Sequence, residues 1–226
     1  MLSDAIDAYC ERTDASFWSE PLNALTNIAF FVAAWFVWRQ LMRQRAPQGP
    51  HGDGDLVALT VLIALVGAGS LAFHTFGTRW GMLLDTGFIT LFLLTYVQRF
   101  AVRRLGWKRF ASWAAVVGFV ALDLLLKRVL AEAPLNGSQF YAAAFVVLLG
   151  MAGWARWRRQ PGEGFWLLAA LVFLLSVTLR SLDESLCAVW PLGTHFCWHL
   201  LNAVVLWASM RALMALPANR TSPGTR

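Results

Sequence analysis

Two histidines, His195 and His199, open the apolar stretch GTHFCWHLLNAVVLW (193–207) four residues apart. Residues i and i+4 stack on one face of a helix. Two imidazoles so placed can share one metal ion, as in the HExxH zincins, although the glutamate of that motif is absent. A third protein ligand would complete a catalytic zinc site with one position left for water. His74, near the end of GAGSLAFHTF (67–76), is the candidate, because the fourth histidine, His51, sits in a Gly-rich loop. Two further polar residues join this set. Ser70 lies one turn before His74 on the same face, and Asp85 lies in WGMLLDTGF (80–88). Asp85 can orient a histidine or take a proton from metal-activated water. The plainer alternatives are a helix-packing serine, since small residues line membrane interfaces, and a structurally paired aspartate.

A second constellation is acidic. DAIDAYCERTDASFWSEPLN (4–23) crowds Asp4, Asp7, Glu11, Asp14 and Glu20 into seventeen residues. Clustered carboxylates and carbonyls suit a hard cation such as calcium, which takes six to eight oxygens. The spacing matches no standard calcium loop, so a solvated acidic cap is the competing reading. Arg180, Asp183 and Glu184 in LRSLDESLC (179–187) are expected to include an ion pair. Of the three cysteines, Cys197 lies between the two histidines but at i+2 points away from their face.

What must position these groups is a membrane bundle. The chain has 226 residues, 58% hydrophobic and 14% charged, against about a quarter charged in a soluble domain. Roughly 20 apolar residues make one crossing, and seven apolar runs can be read: about 22–42, 55–76, 80–100, 109–130, 138–157, 164–182 and 194–215. The fourth is the weakest, with Asp123, Lys127 and Arg128 in its second half. The fold expected is an all-α integral membrane protein. An acidic segment (1–21) packs on its exported face, a seven-helix domain spans 22–215, and a disordered tail covers 216–226. Residues 1–21 lack the basic and then apolar order of a secretory signal. Twelve tryptophans suit a protein with many membrane–water boundaries.

The basic residues decide orientation. Arg39, Arg43, Arg45, Arg99, Arg103, Arg104, Lys108, Arg109, Arg156, Arg158, Arg159, Arg211, Arg220 and Arg226 fall on one side of a seven-crossing chain, fourteen of the nineteen. The positive-inside rule makes that side cytoplasmic, the N-terminus exported and the C-terminus cytoplasmic. The net charge of +6 is therefore topology, which argues against nucleic acid. On this topology His74, Asp85, His195 and His199 share one depth at the exported ends of their helices. Ionisable groups in a spanning segment are costly and mark function. Cys10 and Cys187 face the exported compartment, where a disulfide can persist.

Four islands, YCERTDASFWSEPLNALTN (9–27), GSLAFH (69–74) with Asp85 eleven residues on, LDESLC (182–187) and HFCWH (195–199), together resemble the alkaline ceramidase family. That family belongs with seven-helix membrane hydrolases that include the adiponectin receptors. The resemblance implies a zinc ion held by His74, His195 and His199, Ser70 assisting water or oxyanion, and Asp85 transferring protons. It implies calcium held by Asp7, Glu11, Asp14 and Glu20, with a carbonyl from Tyr9, though the loop is about two residues shorter than in eukaryotic members and its first aspartate is displaced. It also implies a disulfide between Cys10 and Cys187.

The leading expectation is a zinc-dependent amidohydrolase acting on linear amides. It would cleave ceramide or a similar N-acyl lipid drawn from the bilayer into a fatty acid and a sphingoid base. No obligate protein partner is evident, and in a bacterium the location would be the inner (plasma) membrane. The alternative is a non-enzymatic seven-helix receptor or carrier with a structural metal. A rhodopsin is excluded because the last run has no lysine for a retinal Schiff base. An intramembrane serine protease using Ser70 would leave two histidines unexplained.

Overall fold

The computed structural model describes residues 2–44 and 53–215. His51 and the tail expected over 216–226 lie outside the described residues. Apart from connections and one isolated β-bridge, the described chain is helical. The order is α1 (Pro21–Thr26), α2 (Ile28–Gln44), α3 (Gly54–Phe76), α4 (Arg79–Arg103), α5 (Trp113–Val129), a 3₁₀ turn (Ser138–Tyr141), α6 (Ala142–Trp157), α7 (Glu163–Leu186) and α8 (His195–Met214).

Six segments are long and apolar enough to cross a membrane: Pro21–Gln44, which joins α1 and α2, then α3, α4, Ser138–Trp157, α7 and α8. The fourth expected run appears as α5, 17 residues long, with Lys127 bonded to Asp123 across one turn at 2.6 Å. Large apolar side chains face outward along these helices, among them Phe31, Val32, Trp35 and Phe36 on α2 and Leu171, Leu174 and Leu175 on α7. Helices satisfy their own backbone groups, and such an apolar exterior suits lipid. The chain is thus a helical bundle of the multi-pass membrane type.

Small residues and buried polar bonds hold the bundle together. A Cβ on Gly69 would overlap Leu84 backbone and Phe88, and one on Gly81 would overlap Phe73 Cα. Glycine at both positions lets α3 and α4 touch backbone to backbone, which brings Ser70 and His74 beside Asp85. Deeper, Trp166 Nε1 donates to Tyr96 Oη (2.9 Å), and Tyr96 Oη donates to Ser209 O (2.7 Å). That chain of bonds ties α7, α4 and α8 together in a core of Leu59, Ile63, Trp166 and Met210.

The first apolar run is not one straight helix. The Asn27 N–H reaches Ala24 O, three residues back, instead of four, and its side-chain Nδ2 donates to Asn23 O (2.8 Å). This tightening separates α1 from α2 and leaves Thr26 facing α8. The polar N-terminal segment is anchored rather than loose. Ile6 N donates to Gly77 O (2.7 Å) and Arg79 N to Asp4 O (3.1 Å), so residues 4–6 run antiparallel to the α3–α4 turn. Gly77 occupies the left-handed region that the turn requires (φ +56°). A disulfide joins Cys10 to Cys187, 177 residues apart, tying the same segment to the end of α7.

Candidate active site

His195 and His199 occupy the first turns of α8 and meet His74 from the last turn of α3. All three are buried, with ring centroids 4.7–5.1 Å apart. One nitrogen from each lies within 4.8 Å of the others. His74 Nδ1 donates to Glu20 Oε2 (2.6 Å), leaving His74 Nε2 buried without a partner. Thr26 directs its hydroxyl at Leu22 O (2.8 Å), so its oxygen accepts from His199 Nδ1 at 2.9 Å. His199 Nε2 then presents a lone pair, 3.4 Å from Ser70 Oγ. His195 Nδ1 is likewise buried and unpartnered, and the ring stacks flat on Tyr9, 3.5 Å between centroids and 16° between planes.

Buried nitrogens without hydrogen-bond partners are rare because each forfeits its hydration. Two in one pocket, with the opposite ring nitrogen of His74 fixed by a carboxylate, is the arrangement that metal-binding histidines adopt. The donor set fits zinc, which accepts imidazole nitrogens and keeps a position open where three protein ligands bind. Among the described residues no fourth imidazole, thiol or carboxylate joins the group.

Beside the triad a narrow, mostly apolar pocket runs down the bundle. Ser70 and Asp85 line its upper part, and Phe92, Met151, Phe173 and Trp198 are among the apolar residues below them. Asp85 lies within electrostatic reach of Ser70, His74 and Arg180. Arg180 is not paired with Asp183 or Glu184 as expected. Its guanidinium donates to Asn136 O (2.5 Å), Ser138 Oγ (3.0 Å) and Tyr9 Oη (3.3 Å), and lies among the rings of Tyr9, Tyr141 and Trp198. Burial pushes the Tyr9 phenol well above its ordinary range despite the opposing pull of Arg180, so Tyr9 stays protonated and neutral against His195.

Asp183 has a different task. It is fully buried near the end of α7, and its Oδ1 accepts from Thr194 N (2.5 Å) and His195 N (2.8 Å), while Oδ2 accepts from Cys10 N (3.1 Å). A carboxylate at a helix N-terminus satisfies amides that have no partner in the helix and complements its dipole. Asp183 therefore fixes where α8 begins, and with it both histidines. Gly193, in the left-handed region (φ +63°), brings the chain against Asp183 where any Cβ would overlap the carboxylate.

Within the acidic segment one carboxylate, that of Glu20, meets a guanidinium. Arg12 is buried, donates to Glu20 Oε1 (2.5 Å) and His74 O (3.0 Å), and reaches Asp14 O at 3.3 Å. Burial works to raise the Glu20 pKa, but the bonds from His74, Asn23 and Arg12 outweigh it and hold the carboxyl below its usual range. Glu11 accepts from Leu22 N (2.6 Å) and Asn23 N (2.8 Å) at the start of α1. Asp14 accepts from Ser16 N (2.8 Å), and bonds from the Ser16 side chain first and its amide second hold the exposed carboxyl low; Asp7 is exposed. Tyr9 O accepts from Arg12 N (3.2 Å). Of the residues expected to gather calcium, Glu11, Asp14 and Glu20 have separate partners, and among the described residues only the histidines form a group of three or more close candidate ligands.

Glu20, Thr26, Asp183 and the Tyr9 ring were not legible as parts of the histidine site. Glu20 stood out only as an acid, and Asp183 precedes the helix it caps by more than the two or three residues of a local cap. The family model described as Ceramidase matches residues 5–225. No curated protein matches the chain.

Proposed function

The chain belongs to the ceramidase family, and from that premise we propose that it hydrolyses the amide bond of ceramide or a similar N-acyl lipid with a zinc ion held by His74, His195 and His199. When bound, zinc supplies Lewis acidity toward a carbonyl oxygen and lowers the pKa of the water it contacts. The residues of the chain do the rest. Asp85 takes the proton of the attacking water and returns it to the amide nitrogen as the C–N bond breaks. Ser70 donates to the carbonyl oxygen as negative charge develops there, the position where a preorganised donor stabilises most. The apolar pocket below holds an aliphatic chain and excludes bulk water. A C–O bond replaces the C–N bond, releasing a fatty acid and a sphingoid amine.

The observation that carries this reading is the pair of orphaned nitrogens, His74 Nε2 and His195 Nδ1, buried in one triad with His199, which meets Ser70, while Asp85 lies within electrostatic reach of His74. A structural metal would call for a fourth protein ligand, and none joins the described group. On this reading α5 completes seven crossings, since 17 residues lies at the short end of a spanning helix. The N-terminus and the metal then face the exported side.

The test is turnover of a fluorescent ceramide by the purified protein, read alongside bound metal. Asp85→Asn is expected to retain zinc and to lose about 10²–10⁴-fold in rate, the usual share of general acid–base catalysis. His195→Ala is expected to lose both. Near-normal hydrolysis in Asp85→Asn would remove that residue from the mechanism.

A further inference from the structure

A groove runs along the outside of the bundle between α2 and α8, on the faces of these helices turned away from the pocket of Ser70 and Asp85. Small residues, Ala29, Ala33 and Ala203, lie along it. Its walls include Ile28, Val32, Phe36 and Val204, all exposed. At the end remote from the histidines it is lined by Arg39, Arg43 and Arg211, and no acidic residue lines it anywhere.

These arginines differ from others at the same end. Arg99 and Arg103 pair with Asp55, and Arg104 donates to Ala215 O (2.8 Å) and Pro161 O (2.5 Å). Among the described residues Arg39, Arg43 and Arg211 have no carboxylate partner. The stretches 45–52 and 216–226 contain no Asp or Glu to supply one. Arg39 and Arg211 lie instead beside aromatic rings, Arg39 6.0 Å from Trp35 and Arg211 4.8 Å from Phe165 and 5.6 Å from Trp207. Arg211 Nε is buried with no hydrogen-bond acceptor.

Length matches one leaflet. From Arg39 up to Ile28 is eleven residues, about 16 Å at 1.5 Å per residue, and half of a hydrocarbon core of about 30 Å is about 15 Å. We propose that this groove binds an anionic phospholipid of the surrounding bilayer, its phosphate among Arg39, Arg43 and Arg211 and one acyl chain lying along α2 and α8. Guanidinium groups suit phosphate because they offer several donors in a fixed plane. The ceramide pocket has no such charge at its base, so the two lipids are told apart by chemistry. This inference does not depend on the proposed hydrolysis.

Native mass spectrometry of the full-length protein, released from detergent containing either phosphatidylglycerol or phosphatidylcholine with matched chains, tests it. One phosphatidylglycerol is expected to stay bound, with phosphatidylcholine lost. Arg39→Gln, Arg43→Gln and Arg211→Gln are each expected to weaken retention by roughly fivefold, the share of one basic residue near an anionic surface. Arg158→Gln, outside the groove, is expected to leave retention unchanged. Thermal midpoints without lipid identify any variant that has lost its fold, and the single variants then carry the comparison. Equal retention of both lipids, equal loss in Arg158→Gln, the same stabilisation by inorganic phosphate, or a lipid-free dimer closed over the groove would each overturn it.

Discussion

At the scale of single residues, the site is a set of tautomer assignments. Glu20 holds the proton of His74 on Nδ1, and Thr26 does the same for His199, so each ring turns its other nitrogen inward. Removing such an outer partner typically weakens metal affinity by about 10–100-fold. Glu20→Gln should therefore still fold yet release zinc to a competing chelator at correspondingly lower chelator concentration. An unchanged competition curve would show that His74 needs no such support. Ser70→Ala should cost less turnover than Asp85→Asn, because one hydrogen bond is lost and the proton acceptor stays. The histidines were legible in sequence from their i,i+4 spacing and their common depth with His74. The roles of Glu20 and Arg12 were not, because an acidic cluster in sequence does not say which of its carboxylates will meet a guanidinium eight residues away.

At the scale of elements, α8 is placed from outside itself. Asp183 on α7 accepts three backbone N–H groups, those of Thr194, His195 and Cys10. Asp183→Ala strands these buried donors, at about 1–3 kcal/mol for each left unsatisfied. A large fall in thermal midpoint is expected, with zinc lost because His195 loses its register. Wild-type stability in that variant would mean that α8 starts correctly without its cap. Helices were readable as apolar runs because lipid demands them, and the short loops left little freedom in their order. Two features escaped. The break at Asn27 leaves no proline or glycine as a sign, and the Arg180–Asp183 pairing suggested by proximity gave way to partners far along the chain, Tyr9, Asn136 and Ser138.

At the scale of the whole molecule, charge and chemistry sit at opposite ends. The histidine triad, the acidic segment and the disulfide lie at one end of the bundle, and Arg39, Arg99, Arg103, Arg104 and Arg211 near the other. With seven crossings, a cysteine introduced near residue 3 should react with an impermeant maleimide only from the exported side, and one in the 43–55 loop only from the cytoplasm. The reverse pattern would invert the proposed orientation. The central claim, that three buried imidazoles serve as the metal centre of an amide hydrolase, is tested most directly by following zinc content and ceramide hydrolysis in one purified sample. About one zinc per chain is expected, with hydrolysis falling in step as a chelator removes it and returning when zinc alone is added back. Full hydrolysis after the metal has been stripped from a folded sample would contradict it.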